Sequence, residues 1–193
     1  AMARQLQHDG VALPGSTSPM PTSLAVVQLQ DGQPSYGFYR EGIADRDYTV
    51  DGILSLLAQQ AQPGILHTGS LLLIPPEVHK VVAILKAARS LGWTISVDIN
   101  LRPQVAADLA SYVAAVREVI GLTDWLKASD EDLETMGFAN VGIGESARLV
   151  HELRAGVAPD ALHRVALTFG GEGAHLDIEG QTHSLPVPRI TVA

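Results

Sequence analysis

Cysteine is absent from the 193 residues, so no disulfide framework supports the fold. No apolar run approaches the roughly 20 residues that a membrane-spanning helix needs. No secretory leader pattern stands at the N-terminus, and the cytoplasm is the default expectation. Cations are also scarce, with 13 Lys and Arg against 21 Asp and Glu and a formal net charge of −8. Phosphate backbones are bound by clustered Lys and Arg, whereas these are scattered, which argues against a nucleic-acid partner. Neither GxxxxGK[ST] nor a GxGxxG after a strand occurs, so P-loop and dinucleotide oxidoreductase readings lose support. The seven His lack metal-ligand spacing and read as surface or packing residues. There is no internal repeat and no low-complexity linker.

What is present is the composition of a globular chain, 46% hydrophobic and 18% charged, long enough for one good-sized domain. Between residues 64 and 169 the hydrophobic period switches repeatedly between short apolar runs and helical spacing. GILHTGSLL reads as a strand, followed by a helix over 75–92 with Val78, Val81, Val82 and Leu85 on one face. Strand TISVDI, a helix over 106–121 with Leu109, Tyr112, Val113 and Val116 on its face, and strand DWLKAS come next. A short helix after Ser129, a helix over 145–156 and strand RVALTF complete the series. This alternation predicts an α/β fold, a doubly wound, mainly parallel sheet with helices on both faces. Residues 21–40 read as two strands joined by a DGQP turn, a flap over a site, and 174–179 with 183–187 as an antiparallel pair around Gly180.

In open parallel sheets ligands bind beyond the carboxyl ends of the strands. Here those ends read HTGS (67–70), DINLRP (98–103), KASDED (127–132) and TFGGEG (168–173), all polar or small after apolar interiors. One polar rim is implied. Asp98, Asn100 and Arg102, at spacing two, lie on one side of an extended segment, where they suit a ligand or form a structural ion pair. Ser129-x-x-Asp132 fits a helix capping box. GGEG is a turn into the next strand or an approach for phosphate.

Taken in order, YGFYREGIADR, HTGSL, SVDINLRP, LKASDEDL and VALTFGGEGAHL resemble the ribokinase-like PfkB carbohydrate kinases, and among them the fructokinases. The resemblance covers nearly the whole chain. It implies ATP-dependent phosphorylation of a sugar hydroxyl, with ATP and Mg2+ as cofactors, in a single partial domain over 1–193 with a β-hairpin lid at 21–45. Tyr39 and Arg40 would lie on the lid near the sugar, with Asp45 in the loop after it. Asp98, Asn100 and Arg102 would face the sugar, and Arg102 would offset charge on the transferring phosphoryl group. Asn100, Lys127, Ser129, Thr168, Gly170, Gly171 and Gly173 would line the nucleotide side. Asp132, shorter by one methylene than the family's Glu, would order Mg2+ through water. A homodimer through the lid is a further expectation, and kinases for 2-keto-3-deoxygluconate or ribosides share similar flaps.

In the family the strand resembling ITVA (190–193) leads into a DTxGAGD segment whose last Asp is the catalytic base. No G-x-G-D occurs in these 193 residues, and the family's Gly-Gly sugar motif is likewise not seen. A non-catalytic sugar- or nucleotide-binding protein is therefore the alternative expectation. A general base contributes about 10²- to 10⁴-fold. The expected outcome is little or no fructose-dependent ATP turnover by the purified 193-residue chain in a coupled assay, and robust turnover would refute it.

Overall fold

The structure, a computed structural model, describes residues 2–15, 17–30, 33–39 and 42–188. The chain divides into two compact units, residues 1–59 and 60–193. The first holds helix α1 (Met2–His8), strands β1 (Leu24–Gln30) and β2 (Gln33–Tyr39), and helix α2 (Val50–Ala58). The hairpin expected at 21–40 is present as an antiparallel pair in register from Leu24 opposite Tyr39 to Gln30 opposite Gln33. Thr49 caps α2, its hydroxyl accepting from the Gly52 N–H at 3.1 Å.

The second unit is a six-stranded mixed sheet in the order β3-β4-β5-β6-β7-β8. Its strands are β3 (Ile65–Gly69), β4 (Thr94–Asp98), β5 (Trp125–Ser129), β6 (Arg164–Thr168), β7 (Ala174–Ile178) and β8 (Gln181–Leu185). The first four pair in parallel, and β7 and β8 close the sheet antiparallel. Between them run α3 (Val78–Ser90), α4 (Leu109–Ile120), α5 (Asp130–Thr135) and α6 (Ser146–Ala155). The expected α/β class, a sheet with crossover helices, is thus observed. Successive crossovers step in one direction, and right-handed connections carry α3, α4 and α6 to a common face. That face is the dry one, where Ile95, Val97, Leu126, Ala128, Val165 and Leu167 are buried. Their alternating neighbours Ser96, Trp125, Ala166 and Leu176 are only half-buried within this unit, and the Arg164 guanidinium stacks 4.2 Å from the Trp125 ring.

Several boundaries differ from the sequence reading. The first parallel strand stops at Gly69, and Ser70–Leu73 turn into a 3₁₀ segment. The reason is local: a Cβ on Gly69 would lie 1.9 Å from the Asp98 carbonyl oxygen, so the chain passes its neighbour too closely for any side chain. The helix over 106–121 begins at Leu109, because Asp108 caps it, accepting from the Ala110 N–H at 3.1 Å. Its buried face is Tyr112, Val116, Val119 and Ile120, while Leu109, in the first turn, is exposed. The last strand is Gln181–Leu185 rather than 183–187, set by a two-residue Glu179–Gly180 turn in which both residues have positive φ. The strand-like run at 190–193 lies outside the described residues.

One ion pair ties the antiparallel strands to the helix layer. Arg154 of α6 donates to Asp177 Oδ1 at 2.6 Å and to the Leu162 carbonyl, and Asp177 also accepts from the Gly180 N–H at 3.0 Å. Burial alone pushes the Asp177 carboxyl up, but the Arg154 and Gly180 hydrogen bonds outweigh it and hold the group below the usual carboxylate range. A folded-state value below the unfolded one adds stability above about pH 3.9, which is lost as pH falls through the folded value. Asp177→Asn is therefore expected to melt below the wild type at pH 7, with the gap narrowing below about pH 4. A gap that does not change with pH would refute the assignment.

Candidate active site

The carboxyl ends of β3 to β6 form one edge, and the polar groups there meet through specific bonds. Gly69, Asp98 and Lys127 occupy one register row across β3, β4 and β5. Lys127 Nζ lies 3.0 Å from Asp98 Oδ1, and both side chains remain about a third exposed. Such a pair contributes little to stability by itself but keeps a cation at the rim. Two residues further along β5, Ser129 stands opposite Thr168.

The chain leaving β4 is held from both sides. On the β3 side the Ser70 N–H donates to the Ile99 carbonyl and Asn100 Nδ2 donates to Ser70 Oγ, each at 3.2 Å. On the β5 side the Ile99 N–H donates to the Lys127 carbonyl at 3.0 Å, continuing the ladder past Asp98. Asp132 then takes over: its Oδ1 accepts from the Leu101 N–H at 2.6 Å and its Oδ2 from the Ser129 N–H at 2.8 Å. The Ser129 hydroxyl accepts from the Asp132 N–H, so the capping box read from the sequence is complete. Arg102 is half-buried beside this brace, its guanidinium donating to the Leu101 carbonyl at 2.9 Å and its N–H to the Tyr112 hydroxyl at 3.4 Å.

The glycine turn after β6 is a 3₁₀ segment, Gly170–Glu172, closed by the Phe169 N–H donating to the Gly173 carbonyl at 2.8 Å. Gly173 is held like Gly69, since a Cβ there would fall 2.4 Å from the Leu185 carbonyl oxygen. Gly170 and Gly171 are exposed, with nothing within 4 Å of where a Cβ would stand. Glu172 anchors the turn by accepting from the Ile143 N–H at 3.2 Å.

Asp98, Asn100, Arg102, Lys127, Ser129, Asp132, Thr168, Gly170, Gly171 and Gly173 therefore share one edge of the second unit. Tyr39 ends β2 in the first unit, with its side chain outside the described residues, and Arg40 also lies outside them. Sequence reasoning passed over the side chains of Ser70 and Tyr112, which bond Asn100 and the Arg102 backbone. The HTGS strand end carried the signal for Ser70, whereas Tyr112 shows only as an apolar helix position. Among the described residues no three acidic or His side chains group to hold a metal ion. Asp132 is 3% exposed, and both of its carboxylate oxygens accept backbone N–H groups.

Over 179 residues, 93% of its length, the chain is 31% identical to a fructokinase from Rhizobium leguminosarum bv. trifolii, of which it spans 52%. The chain is thus similar in sequence to a fructokinase. The chain spans about half the length of that curated relative. Its fold superposes on a Vibrio cholerae O395 fructokinase double mutant bound to fructose, ADP and potassium with a TM-score of 0.75, at 23% identity, over 98% of this chain and 59% of that one. The aminoimidazole riboside kinase of Salmonella enterica, complexed with aminoimidazole riboside and an ATP analogue, gives 0.74 at 18% identity, covering 99% and 59%. These two likenesses show the ribokinase-like fold. No family model matches the chain.

The Asp132 brace is a property of this chain that can be measured directly. Asp132→Ala strands two backbone donors, a cost of about 3 kcal/mol. For a chain of this size the midpoint is expected to fall by roughly 6–12 °C, with Asp132→Asn, which keeps one acceptor, in between. A melt of Asp132→Ala at the wild-type temperature would remove the brace.

Proposed function

We propose that this chain serves an ATP-dependent, fructokinase-like sugar kinase that transfers the ATP γ-phosphate to a sugar hydroxyl. The observation that carries the reading is the single edge at which the ends of four successive parallel strands bring together the DINLR, KASDED and TFGGEG residues, in the order found in the PfkB relatives. Phosphoryl transfer needs little covalent chemistry from the protein and depends on positioning and charge. Asp98 and Asn100 contact the sugar. Arg102 offsets charge on the moving phosphoryl group, as a guanidinium suits. Lys127 is a second cation for phosphate, Ser129 and Thr168 supply hydroxyls, and Gly170 and Gly171 leave the backbone N–H groups approachable. Mg2+ enters as MgATP, held by the phosphates, with Asp132 ordering it through water. Tyr39 and Arg40 act from the lid at 21–45, which also pairs two copies, and the site works in the cytoplasm as part of one ribokinase-like domain.

The riboside kinase reading draws support from the Salmonella enzyme, whose superposition matches that of the fructokinase. Calorimetric titration of the chain with fructose, aminoimidazole riboside and MgATP separates the two. Fructose is expected to bind more tightly than the riboside, and Lys127→Ala to weaken MgATP about tenfold. Binding of neither sugar nor MgATP by the folded chain would overturn the proposal.

A further inference from the structure

Ser70 and Asn100 are neighbours at the rim, and both have left-handed backbone, at φ 55° and 42°. Asn adopts this region with little penalty because its short polar side chain bonds locally, whereas Ser does so less readily. Such conformations persist only where the surroundings over-determine them, and they cluster at functional sites. Here the surroundings are on view. Gly69 leaves room for no side chain beside the Asp98 carbonyl, the Ser70 N–H extends the ladder to Ile99, and Asp132 holds Leu101 from the other side. The backbone on both sides of Asn100 is fixed, and its side chain has one bond, Nδ2 to Ser70 Oγ at 3.2 Å.

We infer that Ser70 is a positioning residue whose hydroxyl sets the orientation of the Asn100 carboxamide. With one amide hydrogen committed to Ser70, the carboxamide oxygen has no hydrogen-bond partner among the described residues. An oxygen acceptor takes a donor. A sugar hydroxyl offers one, and a phosphate oxygen does not. The bond leaves the carboxamide oxygen for a hydroxyl donor and the second Nδ2 hydrogen for an acceptor; that the donor is the sugar rests on the kinase reading above, while the Ser70–Asn100 coupling itself does not.

The test uses Ser70→Gly, which removes the hydroxyl and relieves the left-handed backbone, and Ser70→Ala, which removes the hydroxyl alone. The Asn100 side-chain amide is followed by proton–nitrogen NMR, and fructose and MgATP affinities are titrated in parallel. Expected are faster solvent exchange of the Asn100 amide in both variants, about fivefold weaker fructose binding from one lost neutral hydrogen bond, and MgATP affinity within about twofold. Unchanged amide exchange in both variants would overturn the positioning role, and a loss confined to MgATP would overturn the assignment to sugar. If the wild-type chain binds no fructose, the kinase reading falls, and the amide signal still decides the role of Ser70.

Discussion

A buried carboxylate that accepts two backbone N–H groups holds the rim together. Asp132 sits in the first turn of α5, yet one of its oxygens reaches across to Leu101, beyond the end of the neighbouring strand. The parallel ladder has no partner to offer at that point, because β4 has ended and the chain is turning away. A side chain replaces the missing rung. Since the other oxygen closes the capping box, the helix start and the turn after β4 form one unit, and Asn100 and Arg102 inherit their positions from it. The shorter Asp, in place of the Glu of the family pattern, is consistent with this local reach.

The parallel sheet and its crossover helices were legible because their apolar spacing is regular. Val78, Val81, Val82 and Leu85, expected on one helical face, are all buried. The capping box was legible for the same reason, since its two side chains lie three residues apart. The Asp132–Leu101 bond was not, because it joins residues 31 apart through a backbone N–H that no side-chain pattern reports. The exposure of Leu109 and the start of the last strand were misjudged where a cap at Asp108 and a turn at Glu179–Gly180 override hydrophobic pattern. Ser70 belongs to a polar strand end in the sequence, but its left-handed backbone and its bond to Asn100 depend on the close pass of β3 and β4.

The sheet is unequal on its two faces. Three helices dry one side, while the other carries Ser96, Trp125 and Lys127 at intermediate exposure, with Arg164 lying over the Trp125 ring. A guanidinium on an indole shields apolar surface while keeping its charge in solvent. His175, by contrast, sits on the dry side, 5% exposed, with neither ring nitrogen bonded within the described residues. A polar ring in that setting opposes folding, and the Asp177–Arg154 pair two residues on is the polar contact that is satisfied.

The glycines at the rim differ in what they would reveal under saturation mutagenesis. At Gly69 each of the other nineteen amino acids brings the same Cβ into the Asp98 carbonyl, so every substitution is excluded for one geometric reason, whatever its chemistry. Gly171 stands in open space with no positive φ, and the fold itself tolerates replacement there. Depletion of variants at residue 69 therefore measures folding, and depletion at 171 measures what approaches the turn from outside.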